Sequence, residues 1–166
     1  TKLAGELGIS KKDLQSGTIR LPAYRALYLD HILKEGPGIT YYRDQLFKSM
    51  VRAVKTVEDS DEPVPARFEA ILREYQKTGF RWMKTLDKCG FGGILADDMG
   101  LGKTIQVIAL FEDTYSSGEK APSLVVCPAS LVYNWEQEIQ KFAPDLKVRS
   151  VVGTGPQRLE LLEKIK

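Results

Sequence analysis

Histidine and cysteine are scarce in this 166-residue sequence, which contains one histidine, His31, and two cysteines, Cys89 and Cys127. A single histidine disfavours a Ser-His-Asp triad or a histidine-rich zinc site within these residues. The two cysteines are far apart and lack metal-ligand spacing. We therefore interpret each of them as a buried free thiol in a reducing cytoplasm.

Long apolar runs are also absent, because no stretch approaches the roughly 20 residues that a membrane-spanning helix needs. We therefore expect no membrane among the partners. No charged-then-apolar leader follows Thr1, which suggests a start inside a longer protein.

An excess of either charge is lacking too, since 24 basic and 22 acidic residues give a net charge of +2. That balance neither favours nor excludes nucleic acid, because a phosphate-binding stripe can lie within a near-neutral total.

The composition, 43% hydrophobic and 28% charged, is typical of a soluble globular protein. An acidic, proline-bearing segment at 58–65 has no periodicity and predicts a linker. We assign residues 1–60 to a small helical N-terminal segment, with helices at 22–34 and 43–57, and residues 61–166 to a second domain. The apolar residues that predict the helix at 43–57 are Leu46, Phe47, Met50, Val51, Val54 and Val57.

Helical and extended patterns alternate in the second domain. A helix at 67–88, interrupted or tightened near Gly79, precedes the first short apolar run. This alternation predicts an α/β fold in which helices flank a parallel sheet. Strands are expected at 92–96, 123–127 and 147–152, and helices at 103–115, at 131–142 and from 157 onward.

A glycine-rich loop, Asp97-Asp98-Met99-Gly100-Leu101-Gly102-Lys103-Thr104, follows the first predicted strand and opens a predicted helix. Gly100 and Gly102 let backbone amides approach phosphate oxygens, and the helix directs its positive dipole end towards them. Lys103 can reach the β- and γ-phosphates, and the hydroxyl of Thr104 can bind Mg²⁺. Asp97 stands where the general P-loop pattern has glycine, so a glycine-rich turn before a core helix is the alternative interpretation.

Three blocks of sequence resemble motifs of the sucrose-non-fermenting family, the chromatin-remodeller-like branch of the superfamily-two helicases. Residues 93–106 resemble its motif I, which tolerates an aspartate at the position of Asp97. Residues 72–83 are similar to its Q motif and residues 124–138 to its motif Ia. The resemblance covers about 68–153 and implies a bacterial member whose first RecA-like lobe is incomplete here.

The resemblance implies a role for each matched residue. Gln76 would hydrogen-bond the adenine edge of ATP, and Arg73, on the same helical face, would help line that pocket. Lys103 and Thr104 would be catalytic, with Thr104 holding Mg²⁺, and motif Ia would contact DNA phosphates through Pro128, Ser130 and Asn134. In the alternative interpretation, Ser130 caps the following helix. The residues implied to bind the nucleotide are Arg73, Gln76, Asp97, Asp98, Met99, Gly100, Leu101, Gly102, Lys103 and Thr104.

The function implied by this resemblance is ATP-dependent translocation on double-stranded DNA, with a DNA-bound protein complex or RNA polymerase as a further partner. The family's Asp-Glu pair and second lobe are not found in the sequence, so we expect the chain to bind nucleotide without turning it over. The location would be cytoplasmic and nucleoid-associated in a bacterium, or nuclear in a eukaryote. Two alternatives remain: a P-loop kinase or NTPase that does not act on nucleic acid, and a regulatory role for the N-terminal segment.

Overall fold

The computed structural model of the chain describes residues 12, 15, 21–35, 42–56 and 60–164. The chain divides into two compact units. The first contains the chain up to Thr56 together with Leu86–Gly92, and the second contains Val57–Thr85 and Gly93–Lys166. The boundary predicted at residue 60 stays a prediction.

The described part of the first unit includes two helices that pack against each other, α1 at Ala26–Glu35 and α2 at Gln45–Lys55. A 3₁₀ turn at Ala23–Arg25 leads into α1. Helix α2 begins at Gln45 because the carboxylate of Asp44 accepts a hydrogen bond from the backbone N–H of Phe47 at 2.7 Å. Both predicted helices are confirmed within a few residues, although Val57 lies outside the described residues.

The second unit contains a hydrophobic core. Helix α3 at Ala66–Glu69 contributes the buried Phe68, and α4 at Glu74–Lys88 contributes Phe80. Helix α5 at Lys103–Ser116 and α6 at Val132–Phe142, which follows a 3₁₀ turn at Ala129–Leu131, pack against each other. Helix α7 is at Gly155–Glu163. The core residues are Val64, Phe68, Leu72, Phe80, Ile108, Ala109, Ile139 and Ala143.

The predicted interruption near Gly79 is wrong. Helix α4 runs through Gly79 without a break, and the chain instead leaves the helical conformation between α3 and α4. The side-chain oxygen of Gln76, in the first turn of α4, accepts a hydrogen bond from the backbone N–H of Arg73 at 3.0 Å. This contact satisfies one of the amides that a helix start leaves open, and it therefore favours a new helix at Glu74.

The predicted parallel sheet is also wrong. The segments at 92–96, 123–127 and 147–152 are irregular, and no strand occurs among residues 21–35, 42–56 and 60–164. None of the backbone hydrogen bonds described outside the helices joins two of these segments. Short apolar runs indicate an extended chain, but a strand exists only when a neighbour pairs with it. Their apolar side chains are largely exposed: Ile94 is 86%, Leu124 80% and Val126 86% accessible.

Both cysteines are free thiols, and each is half-buried rather than buried. Burial raises the pKa of the Cys89 thiol above its ordinary value. In the described part of the chain, no helix combines the length and the apolar character that crossing a bilayer requires.

Candidate functional site

The glycine-rich loop ends at the first residue of α5. Gly100 and Gly102 have φ angles of +85° and +73°, a region that other residues rarely adopt. Gly102 is the N-cap of α5 and offers no side-chain acceptor. None of the described hydrogen bonds engages the backbone N–H of Lys103, Thr104 or Ile105. The start of α5 therefore presents adjacent donors at the positive end of its dipole, an arrangement that fits an anion.

The ammonium group of Lys103 lies against the same loop. Its Nζ atom donates to the carbonyl oxygen of Asp97 at 2.8 Å and to that of Asp98 at 2.9 Å. The side chain thus returns across the loop rather than extending into solvent. A positive charge beside open backbone donors suits phosphate oxygens.

Helix α4 supports the loop through two polar side chains. The amide nitrogen of Gln76 donates to the carbonyl oxygen of Leu101 at 3.0 Å, and the hydroxyl of Tyr75 donates to the same oxygen at 3.2 Å. The side chain of Tyr75 is nevertheless exposed. The structure therefore brings both Gln76 and Tyr75 into contact with the loop.

Gln106 supports the loop from α5, and motif reasoning gave it no role. Its side chain is fully buried, and its amide nitrogen donates to the carboxylate of Asp97 at 3.0 Å. Its Oε1 atom has no hydrogen-bond partner among the described residues and lies against Gly79 of α4. The sequence feature that could have indicated this role is a polar residue, Gln106, between the apolar residues Ile105 and Val107 of a predicted helix.

Gly79→Ala is expected to lower the free energy of unfolding by about 1 kcal/mol. Alanine in a helix normally stabilises by roughly 1 kcal/mol relative to glycine. Here the new Cβ would overlap Oε1 of Gln106, and displacing that buried amide breaks its bond to Asp97, at a cost of about 1–3 kcal/mol. Urea unfolding measures the effect. Thr78→Ala, at an exposed position of the same helix, is the control, and a stabilised Gly79→Ala variant would contradict the packing described.

The remaining predicted residues lie around this centre. Arg73 is exposed just before α4, and Asp98 and Met99 are exposed on the loop. Pro128, Ser130 and Asn134 are exposed where α6 begins. No side-chain hydrogen bond caps α6, whose N-cap is Leu131, so the alternative role of Ser130 as a cap is wrong. No hydrogen bond or ion pair of the described residues joins these three residues to the loop.

The two neighbouring acidic residues of α5, Glu112 and Asp113, are both engaged in ion pairs. Glu112 lies 3.7 Å from Arg67, and Asp113 pairs with Lys84. These contacts give the acidic pair on α5 a structural role. No group of three or more His, Cys, Asp or Glu side chains that could hold a metal occurs among the residues the structure describes. A cation at the loop would therefore need ligands such as Thr104, together with oxygens of the bound anion.

Two family models match the chain. Residues 75–165 match the SNF2-related domain, and residues 1–65 match the domain described as bacterial SNF2 helicase associated. The chain is 44% identical over 73% of its length to YwqA of Bacillus subtilis, whose name places it among ATP-dependent helicases and translocases. It is 49% identical over 57% of its length to the uncharacterized ATP-dependent helicase MG018 of Mycoplasma genitalium, and 48% identical over 60% to Helicase SWR1 of Eremothecium gossypii. The matches span only 13%, 9% and 7% of those relatives.

Proposed function

Because the chain belongs to the SNF2-related family, we propose that it forms the ATP-binding part of an ATP-dependent translocase acting on double-stranded DNA. The observation that carries this proposal is the loop at the start of α5. It combines two glycines in the left-handed region, three open backbone donors and the ammonium group of Lys103. The relatives named as ATP-dependent helicases support ATP as the ligand.

The donors at the start of α5 would hold the phosphates. Backbone N–H groups of residues 103–105 would donate to phosphate oxygens, and Lys103 would exchange its carbonyl acceptors for the terminal phosphates. The hydroxyl of Thr104 makes no described hydrogen bond and would bind Mg²⁺, which neutralises phosphate charge when present. Gln76, Tyr75 and Gln106 keep the loop in position, so little rearrangement is needed on binding.

Gln76 retains hydrogen-bonding capacity for adenine although both ends of its amide already bind backbone groups. The amide oxygen can accept a second bond and the amide nitrogen can donate a second one. The side chain can therefore hold the backbone groups of Arg73 and Leu101 and still contact a base. Arg73, exposed one residue before α4, is proposed to line the same pocket.

Gln76→Ala is expected to reduce the preference for ATP over GTP by about tenfold, because the lost pair of hydrogen bonds to the base is worth roughly 1–2 kcal/mol. Competition of unlabelled ATP and GTP against a fluorescent adenine nucleotide measures the ratio. Tyr75→Phe is the control, since it loses a contact to Leu101 without touching the adenine edge. If Gln76→Ala lowers the affinities for ATP and GTP equally, Gln76 supports the loop but does not contact the base.

Contact with DNA is proposed at the start of α6. Pro128, Ser130 and Asn134 are exposed there, and no described hydrogen bond engages the side chains of Ser130 and Asn134. A hydroxyl, an amide and nearby backbone groups suit phosphate oxygens, and such contacts carry little sequence preference. We propose that these residues position the protein on the duplex rather than select a sequence.

Turnover by the chain alone is expected to be negligible. ATP hydrolysis needs a group to orient the attacking water and a cation to stabilise the charge of the transition state, and an arginine supplying that charge contributes roughly 10³–10⁵ in rate. The acidic pair described on α5 is already engaged in ion pairs. We propose that the chain binds ATP and that hydrolysis needs further parts of the full-length protein.

The test is the ATPase rate of the full-length protein with and without duplex DNA. The proposal expects a clear stimulation by duplex that falls as salt concentration rises, because phosphate contacts release counterions. A rate that does not respond to DNA but rises with a small-molecule phosphate acceptor would instead indicate a P-loop kinase or an unrelated NTPase.

A further inference from the structure

Basic residues are concentrated in the N-terminal part of the chain. Residues 1–56 carry ten basic and five acidic side chains, whereas residues 57–166 carry 14 basic and 17 acidic ones. The net charge of +2 therefore conceals two parts of opposite sign. A charge excess of this kind matters for binding only where it is arranged on one exposed surface.

Helix α2 arranges it in that way. Lys48, Arg52 and Lys55 follow one another at steps of four and three residues, so they share one face of the helix, and all three are exposed. We call these three residues the basic stripe. Val51, one turn from both Lys48 and Lys55, is buried at the border of the stripe and orients α2 together with the half-buried Phe47. The stripe is about 10 Å long at 1.5 Å per residue.

A buried carboxylate holds further positive charge beside the stripe. Asp30 of α1 is only 1% exposed and pairs with Lys34 at 3.0 Å, with Lys55 at 3.2 Å and with Arg43. One negative charge therefore gathers three positive ones from α1, α2 and the segment before α2. The cations are not neutralised by Asp30 alone, and Lys34 and Lys55 remain about half exposed.

An aromatic side chain lies next to the stripe. Tyr42 is 90% exposed, and the ammonium group of Lys48 is 5.6 Å from the centre of its ring. This contact places an aromatic ring beside one cation of the stripe. The phenol also adds a hydroxyl that can donate to a phosphate oxygen.

We propose that the basic stripe, together with Lys34 and Tyr42, is a second contact surface for double-stranded DNA that binds the phosphate backbone without reading sequence. This inference rests on the proposed function, since it takes duplex DNA as the ligand of the full-length protein. Phosphates of one strand recur every 3.4 Å or so along a duplex, so a stripe of about 10 Å spans roughly three steps. The surface lies in the first unit, outside the nucleotide site, and its binding does not depend on ATP.

The experiment uses the 166-residue chain and a labelled 20-base-pair duplex, with anisotropy recorded without nucleotide at several salt concentrations. The variant is Lys48→Ala/Arg52→Ala, which removes two stripe cations and leaves the ion pairs of Asp30 intact. Both positions are exposed, and alanine has a high helix propensity, so the double variant should keep the fold of the parent chain. Thermal unfolding of the two proteins would verify this. Lys120→Ala/Arg158→Ala removes a matched pair of exposed cations from the second unit.

The expected result is a duplex affinity roughly tenfold weaker in the stripe variant at low salt. The slope of log affinity against log salt should fall by about 1.8, at about 0.9 per phosphate contact. The control pair should stay within about twofold of the parent chain. Equal losses in the two double variants would overturn the proposal, because they would reflect net charge alone.

Three further measurements separate this inference from its premise. The parent chain should bind the duplex equally well with and without ATP, since the stripe lies outside the nucleotide site, and an affinity that changes with ATP would contradict this independence. If the stripe variant binds duplex normally while duplex still stimulates the full-length ATPase, the stripe proposal fails and the proposed function stands. Polyglutamate serves as a probe for an acidic protein partner, and binding of polyglutamate without binding of duplex would also overturn the stripe proposal.

Discussion

Lys103→Ala should weaken binding of a fluorescent ATP analogue by about 100-fold and abolish the ATPase activity of the full-length protein. Hydrogen bonds that involve a charged group are worth roughly 1.5–3 kcal/mol each, and tenfold in affinity corresponds to about 1.4 kcal/mol. In the structure the ammonium group already lies over the loop, 2.8 Å from the carbonyl oxygen of Asp97, so phosphate would meet a positioned charge.

Two controls distinguish loss of charge from loss of fold. Lys103 also holds the loop through Asp97 and Asp98, so the variant could disturb the loop itself. Lys103→Arg keeps the charge but replaces the ammonium by a bulkier planar group, and it should recover only part of the affinity. Lys141→Ala, an exposed lysine of the same unit, should bind nucleotide normally. Unchanged nucleotide affinity in Lys103→Ala would refute the assignment of this loop as the phosphate site.

Asp30→Asn should destabilise the first unit by about 2 kcal/mol at pH 7. Burial by itself raises the pKa of the Asp30 carboxyl. The hydrogen bonds from Lys34, Lys55 and Arg43 together lower this pKa by more than burial raises it, so the pKa is about 2, compared with an ordinary value of 3.8. One pKa unit corresponds to about 1.36 kcal/mol, so the charged form contributes about 2 kcal/mol to folding. The asparagine would also leave three cations around a neutral group.

The pH dependence of this contribution has a definite sign. The folded state binds fewer protons than the unfolded state between the two pKa values, so stability from Asp30 is complete above about pH 4 and is lost as the pH falls through about 2. The difference between the parent chain and Asp30→Asn should therefore shrink to about half by pH 3, as urea unfolding at pH 7 and pH 3 would measure.

The matched control is Asp87→Asn, which changes an exposed carboxylate in the same unit. A surface substitution of this kind should alter stability by no more than about 0.5 kcal/mol. If Asp30→Asn unfolds at the same urea concentration as the parent chain at pH 7, solvent weakens the ion pairs of Asp30 so much that they do not contribute to the free energy of unfolding. In that case Asp30 would not hold Lys34 and Lys55 in place.

Local patterns in the sequence were sufficient for the helices and for the centre of the candidate site. Apolar spacing predicted α1, α2, α5 and α6 to within a few residues, since a helix closes its hydrogen bonds within its own segment. The glycines and Lys103 of the loop were identified for the same reason, because their chemistry depends on neighbours in sequence. The family followed from motifs of this kind and is confirmed by the match over residues 75–165.

Features that depend on distant residues were decided only in the tertiary structure. Extended segments at 92–96 and 123–127 were expected to pair as strands, but the partners of a strand are not encoded in its own residues, and the described chain leaves them unpaired. The contact of Tyr75 with Leu101 joins residues 26 positions apart, and that of Asp30 with Lys55 joins residues 25 apart. The sequence alone thus determined the glycine-rich loop and the helix that follows it. Which side chains support that loop, and where the charge of the first unit collects, depended on packing between helices, because only folding brings those residues within hydrogen-bond distance.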